Sequence, residues 1–292
     1  MIVITGSESF VGQELIKQCI KEKIAFLGID LIDKKNPEYP YQKADIRKEE
    51  IFQILPENTD VIIHLAALSR DSDCKGNAYD CFDINVMGTL NLIKIAKRKN
   101  VKQFIFASSE WVYNEFLENE EKDENGVIDI ARINSEYALS KIVSENNLKQ
   151  EFQNEFGDIT ILRFGIIYGP RKNNWSAVES IFNQIKNNDE ITVGSLKNGR
   201  RFIHVSDIAD GIIKSIGLKG FNILNLSGDE MVTIEKLINK SQEICGKKVS
   251  VIENNPTLQN IRNPSNHRAK EVLGWQPKTD IVTGLKTLVD HI

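Results

Sequence analysis

Ile2-Val3-Ile4-Thr5-Gly6-Ser7-Glu8-Ser9-Phe10-Val11-Gly12 opens the chain, and the order of its residue types decides the fold. Four strand-forming residues end at Gly6, and from Val11 to Lys23 the apolar residues return at helical spacing. A buried strand that runs through a glycine-bearing turn into a helix is the first half of a βα unit. The first-turn amides of such a helix lack acceptors and the helix dipole adds positive potential, so the spot suits a phosphate. Gly6 makes the tight turn, and Gly12 lets helix and strand pack closely. The same turn also closes βα units that hold no ligand. Asp30 favours the ligand: it ends the second apolar run about 20 residues on, where a carboxylate accepts from both hydroxyls of a ribose. Its charge would repel a 2′-phosphate there. An aspartate at a strand end also serves as a plain turn residue.

Outward from this turn the pattern repeats. Apolar runs at Ala25–Ile29, Val61–Leu65, Gln103–Ala107, Ile159–Arg163 and Phe221–Leu226 alternate with helical periods at Val11–Lys23, Ala78–Lys99, Glu136–Gln153 and Ile208–Ile216. Alternation of this kind predicts an α/β fold around a parallel sheet. Phe82, Val86, Leu90, Ile93 and Lys97 recur at spacings of three and four and predict one buried face. The acidic stretch 114–134 reads as a surface loop. After Arg163 the pattern loosens, with loop signals at Gly169-Pro170, Asn173-Asn174, Asn187-Asn188 and Asn198-Gly199. The division expected is a nucleotide-binding domain over 1–165 and a smaller portion over 166–292, with about 202–226 returning to the first domain.

Composition narrows the function classes. The 292 residues are 41% hydrophobic and 27% charged, a globular balance, and the net charge of −4 offers nucleic acid or anionic lipid no attraction. No apolar run is long enough to span a bilayer, and the N-terminus is strand-like rather than a signal peptide. Cys19, Cys74, Cys81 and Cys245 show no paired spacing, so they read as reduced packing thiols of a cytoplasmic protein, with no metal site.

Tyr137-Ala138-Leu139-Ser140-Lys141 places a phenol and an ammonium four residues apart. Tyr39…Lys43 and Tyr168…Lys172 match the same spacing, but Pro40 and Gly169-Pro170 interrupt them as helices. Only Tyr137 and Lys141 fall in a helical stretch, where i and i+4 share a face. A nearby cation favours the phenolate, although bringing tyrosine from about 10 to near neutral takes about 4 kcal/mol. The alternative is a surface pair on an amphipathic helix. Ser108 and Ser109 close the run Gln103–Ala107, where they either end a strand or hold a substrate oxygen.

Together these residues resemble the extended short-chain dehydrogenase/reductase family, in its group of NAD-dependent nucleotide-sugar epimerases, dehydratases and reductases. The turn resembles that family's GxxGxxG loop, with Ser9 in place of the middle glycine. A serine there takes space beside the phosphate and also offers a hydroxyl. Asp45-Ile46 resembles the adenine-contacting pair, His64-Leu65-Ala66-Ala67 the HLAA signature, and Asn85-Val86-Met87-Gly88-Thr89 the NVxGT motif. Ser108-Ser109-Glu110-Trp111-Val112-Tyr113 resembles SSxxVYG, and Leu162-Arg163 through Tyr168-Gly169-Pro170-Arg171 resembles LRxxxxYGPR. Arg201 through Ala209 resembles RxFIHVxDxA, and Leu273-Gly274-Trp275-Gln276-Pro277 resembles LGWxP.

The resemblance implies a Rossmann-like, doubly wound parallel sheet of about seven strands with a small C-terminal substrate-binding domain. It implies Ser109, Tyr137 and Lys141 as catalytic residues. It places NAD against Gly6, Ser9, Phe10, Val11, Gly12, Asp30, Asp45, Ile46, Leu65, Ala66, Ala67, Asn85, Ser108, Tyr137 and Lys141. Substrate contacts are implied at Ser69, Glu110, Trp111, Arg171, Arg201 and Arg262, and a homodimer through the helices at 78–99 and 136–153, each with an apolar face. His64 and His204 read as packing histidines. Two departures bear on the reaction. The dehydratases' Asp-Glu pair is Glu110-Trp111 here, so an acid/base pair for eliminating water is incomplete; Glu110 either touches substrate or faces solvent. The asparagine many relatives carry before YGP is Ile166, which cannot donate a hydrogen bond. The expected activity is C4 epimerisation of a nucleotide-diphosphate sugar through a transient 4-keto sugar. A 4-keto-sugar reductase using NADH and a non-catalytic NAD-binding protein are the alternatives.

Overall fold

The computed structural model describes residues 1–35, 37–117, 120–173 and 175–291. Glu118 and Asn119 of the expected surface loop, and Asn174 of an expected loop signal, lie outside the described residues. The chain divides into two units. The first comprises Met1–Asn114, Val127–Arg163 and Ala209–Leu224, and the second Glu115–Gly126, Phe164–Ile208 and Asn225–Ile292. Residues 115–126 of the expected surface loop over 114–134 belong with the second unit. Ala209–Leu224 is the later stretch that belongs with the first unit.

All six apolar runs become strands of one seven-stranded parallel sheet. These are β1 (Ile2–Thr5), β2 (Phe26–Asp30), β4 (Val61–His64), β5 (Gln103–Ser109), β6 (Asp158–Phe164) and β7 (Phe221–Leu226). A seventh, β3 (Tyr41–Lys43), lies at one edge. It reads Tyr-Gln-Lys and is largely exposed, so no apolar run marks it. β1 and β4 are buried along their whole length, which is why they read as unbroken apolar stretches. The strand order β7-β6-β5-β4-β1-β2-β3 reverses direction between β1 and β4. In open sheets the crevice at the strand ends of such a reversal is where ligands bind.

The Gly6 turn lies at that reversal. Gly6 has φ +73°, and a Cβ there would stand 2.6 Å from the Ala66 amide nitrogen at the end of β4. A Cβ on Gly12 would stand 2.3 Å from the Gly6 carbonyl oxygen, so helix α1 (Phe10–Lys21) rests directly on the turn. Ser9 is the N-cap of α1, its hydroxyl accepting from the Gly12 amide at 3.1 Å.

The helix expected over 78–99 is not regular. It runs as Ala78–Phe82, a π-helical turn at Asp83–Met87, and α2 (Gly88–Arg98). A π turn inserts one residue and rotates the next helical segment about its axis. Val86 and Ile93 are buried as expected, but Lys97 is exposed, and Leu92, Ile95 and Ala96 take the core positions instead. α3 (Glu136–Gln153), capped by Ser135, matches its expected bounds. Its inner face is polar as well as apolar, since Ser140, Lys141, Ser144 and Glu145 are buried beside Ile142 and Leu148.

The second unit is built from short pieces. Ile167–Tyr168 pairs with Ile203–His204, Glu190–Val193 with Ser250–Glu253, and Gly199–Arg200 lies between Val232–Thr233 and Ile261–Arg262. Helices Ala177–Asn187 and Ile234–Cys245 bury Val178, Phe182, Leu237 and Ile238 in its core. Asp207 ties two of the quoted motifs together. Its carboxylate accepts from the amides of Lys278 and Thr279, and its carbonyl accepts from the Trp275 indole. Among the described residues no helix is long and apolar enough to cross a membrane.

Gly12→Ala forces its new methyl group against backbone rather than against a movable side chain. The expected outcome is a lower urea midpoint, worth at least about 1 kcal/mol, and an unchanged midpoint would show that the turn yields freely.

Candidate active site

Tyr137, Lys141 and Glu145 succeed one another at steps of four along the buried face of α3, and each meets the carboxyl end of β5. The Ser109 hydroxyl, which accepts from the Trp111 amide at 3.2 Å, stands near enough to the Tyr137 phenol to act on its titration. Lys141 Nζ donates to the Ala107 carbonyl at 2.8 Å, and the Ser108 hydroxyl donates to Glu145. Glu145 in turn receives the Arg163 guanidinium in a bidentate pair at 3.0 and 2.7 Å, and Arg163 also donates to the Tyr113 hydroxyl at 3.0 Å. Arg163 and Glu145 are only 4% and 6% exposed, so the pair is a true interior one. It binds α3, β5 and β6 into a single frame under the tyrosine.

Burial governs the titration of this group. The Tyr137 phenol is pushed up to about 12, by burial first, with the Ser109 hydroxyl acting the other way. The Lys141 ammonium is pushed down to about 8, again by burial first, with Cys81, Cys74 and Glu145 opposing. Both shifts have one cause, a dry site that penalises either charge alone and favours the two charges together. Leu68, Cys74, Cys81 and Trp111 pack with Tyr137 and exclude water from it. Such a site can pass a proton between the phenol and a bound hydroxyl, with Ser109 holding the same oxygen.

Asn85, in the π turn, is engaged by the protein itself. Its side-chain oxygen accepts from the Leu68 amide at 2.8 Å, and its nitrogen donates to the Leu68 carbonyl and the Ser140 hydroxyl, each at 3.0 Å. It therefore ties the loop after β4 to α3. His64 bridges the hydroxyls of Thr5 and Thr89 at 2.8 and 2.9 Å, and burial lowers its pKa to about 3, so it stays neutral. His204 packs edge-on against Tyr168 and hydrogen-bonds Ser206.

At the Gly6 turn, Asp30 accepts from the amides of Glu8 at 2.9 Å and Leu31 at 2.7 Å, so it joins the turn to β2. Phe10 and Val11 begin α1, and Leu65, Ala66 and Ala67 continue the chain from β4. Asp45 is clasped by the Arg47 guanidinium, which also reaches Asp83 at 2.7 Å. Arg47 holds the Asp45 carboxyl below the ordinary range. Ile46 is buried where a Cβ on Gly88 would meet its side chain at 2.6 Å.

Of the substrate candidates in the first unit, Ser69 is exposed, Trp111 is half-buried beside Tyr137, and Glu110 is 1% exposed, so it does not face solvent. In the second unit, Arg171 pairs with Glu179 at 2.7 Å, a carboxylate that also accepts from the Gly169 and Ser176 amides. Arg201 donates to Asn263 and, at 3.0 Å, to Glu121, and Arg262 lies in the strand just before Asn263. Glu145 is a site residue that no motif quoted from the sequence contains. The available signal was Glu145 itself, one further four-residue step beyond Lys141.

Two stability changes of opposite sign are expected. Glu145→Gln leaves the buried Arg163 charge poorly matched and should cost about 3 kcal/mol, read as a lower urea midpoint. Lys141 binds its proton less tightly folded than unfolded, so stability rises with pH between about 8 and the ordinary 10.5, and the penalty is complete below that window. Lys141→Met should therefore raise the midpoint at pH 7, by up to about 3 kcal/mol, with the gain fading above the window. A fall at pH 7 would show that the bond to Ala107 outweighs the buried charge.

Comparison with known proteins bears on what this frame serves. Residues 2–225 match the model of the NAD dependent epimerase/dehydratase family. The chain is 26% identical to the UDP-glucuronate 4-epimerase of Thermodesulfobacterium geofontis, covering 99% of this chain and 94% of that protein. It is 27% identical to the dTDP-4-dehydro-6-deoxyglucose reductase of Escherichia coli, covering 100% and 97%. Its fold is that of the Thermus thermophilus UDP-glucose 4-epimerase crystallised with NAD, with a TM-score of 0.87 at 24% identity over 99% of this chain and 98% of the other. With the match spanning the turn at Gly6, the Ser109–Tyr137–Lys141 frame and every strand of the central sheet but the last residue of β7, this chain belongs to the NAD dependent epimerase/dehydratase family.

Proposed function

We propose that the chain is a C4 epimerase of nucleotide-diphosphate sugars that works with retained NAD through a 4-keto sugar. The observation that carries the proposal is the dry frame in which Ser109, Tyr137 and Lys141 converge at the end of β5. The residues at the Gly6 turn fit a dinucleotide: glycines where a Cβ would strike backbone, a capped helix N-terminus for the pyrophosphate, and Asp30 at the ribose end. When bound, NAD supplies an acceptor for the sugar's hydride and a positive charge near Tyr137. Phe10 and Val11 offer first-turn amides to the phosphates, Leu65, Ala66 and Ala67 wall the crevice, and Ile46 with Asp45 borders the adenine. The 1–165 region is the nucleotide-binding domain in this reading, and the remainder, apart from the returning stretch, binds the sugar nucleotide.

Tyr137 acts as the tyrosinate: it takes the proton of the C4 hydroxyl while hydride would leave C4 for bound NAD, and Ser109 holds that oxygen. Lys141, 5.8 Å from the ring centre, together with the charge on bound NAD favours the ionised phenol. Ser69, Glu110 and Trp111 border the sugar. Trp111 stands where an eliminating enzyme needs a second acid/base group, which leaves epimerisation or reduction as the supported chemistry. Of the arginines, Arg201 is best suited to the diphosphate, because its partner Glu121 is 38% exposed and exchangeable. Arg171 is held by the buried Glu179, and Arg262 adds charge beside Asn263. The protein acts in the cytoplasm, without nucleic acid, as a homodimer through the helices at 78–98 and 136–153. Tyr79 and Met87 supply exposed apolar surface for that contact.

Tyr137→Phe should lower the chemical rate by at least about a hundredfold, with near-normal turnover counting against the mechanism. With deuterium at sugar C4, an epimerase returns the label to the sugar without net change in NADH. Stoichiometric loss of NADH would establish a reductase instead. Sedimentation at micromolar concentration should give a dimer, and a monomer would remove the helix contact.

A further inference from the structure

Glu8 is a carboxylate inside the turn that faces phosphate, and a charge there should repel the ligand. The structure resolves the conflict by engaging it elsewhere. The Glu8 amide donates to Asp30 at 2.9 Å, and its side chain, 7% exposed, receives Lys34 Nζ at 2.9 Å and the Tyr39 hydroxyl. Lys34 lies 4.6 Å over the Tyr39 ring, and Tyr39 packs against Gly28, where a Cβ would meet its ring at 2.6 Å. Lys34 is four residues after Asp30, in the segment that leaves β2. The Tyr41 hydroxyl holds that segment by donating to the Ile32 carbonyl. A lysine so placed is the kind of group that recruits a 2′-phosphate at a ribose. Asp33 and Lys43, the other pair on this edge, are both well exposed at 3.6 Å and are screened by solvent.

We propose that Glu8 is a cofactor-selecting residue: by capturing Lys34 and the Tyr39 hydroxyl beside Asp30, it keeps the ribose edge acidic and secures NAD over NADP. The inference rests on the NAD-binding reading and adds a second selecting carboxylate to Asp30. Glu8→Gln releases Lys34 and removes one negative charge, whereas Lys34→Ala bares the Glu8 charge. The two substitutions should move selectivity in opposite directions.

The test is calorimetric titration of the full chain, freed of co-purified nucleotide, with NAD and with NADP. Glu8→Gln should lower the ratio of the NADP to the NAD dissociation constant by about tenfold. Lys34→Ala should raise it, and Lys34→Ala added to Glu8→Gln should undo most of the change. Lys34 is partly exposed, so its single variant keeps the test open should Glu8→Gln fold poorly. NAD binding with a ratio that neither substitution moves would overturn the role of Glu8 alone. Failure of the unaltered chain to bind either dinucleotide would overturn it together with the cofactor reading.

Discussion

The interior pair between Glu145 and Arg163 is the constraint on which the site depends. A charge buried alone would cost several kcal/mol, so each member demands the other at hydrogen-bonding distance. Arg163 comes from β6, Glu145 from α3, and Ser108 of β5 completes the carboxylate's partners. Once these three elements are held together, Lys141 one turn up α3 meets Ala107, and Tyr137 another turn up meets Ser109. The helix carries its chemistry on the face where another helix would carry leucines. The frame is held by directional bonds rather than by apolar packing, which fixes orientation as well as proximity.

Many polar groups that look available for ligands already serve the protein. Asp30 joins the Gly6 turn to the end of β2 through two amides, Asp45 is enclosed by Arg47, and Asn85 clamps Leu68 to α3. Ser9, in place of the family's middle glycine, caps α1. Such double use is natural at strand ends, where the backbone leaves the sheet and its amides need acceptors. A carboxylate that accepts from backbone on one side keeps lone pairs for a hydroxyl on the other. Asn85 spends both amide protons within the protein and keeps one lone pair on its oxygen.

The π turn at Asp83–Met87 shows the same economy in backbone form. It lets Asn85 and Ser140 meet, and it resets the adjoining helix so that Leu92, Ile95 and Ala96 enter the core. Gly88 comes at once after it, where any side chain would strike Ile46. The Asn-to-Thr motif at 85–89 is therefore a packing device with consequences for the site. Thr89 belongs to it as well, since with Thr5 it fixes the neutral His64 of β4 between β1 and α2.

How much of this was legible depends on the range of each interaction. The sheet was readable because strands buried on both faces must be apolar throughout, and the Gly6 turn because only glycine tolerates its backbone and its contact with β4. The spacing of Tyr137 and Lys141 was readable because i and i+4 share a helix face whatever lies beyond it. The sequence by itself thus determined the order of the strands' apolar runs, the phosphate-binding turn and the phenol–ammonium pair. The edge strand at Tyr41 and the π turn left no periodic trace, since each departs from the regular pattern that periodicity detects. Only the tertiary structure decided that Glu145 would answer Arg163, that Glu8 would turn from the phosphate toward Lys34, and that Asp45 and Asn85 would bond within the protein. Those outcomes depend on groups brought together from distant parts of the chain, and no local propensity encodes which buried charge will find which partner.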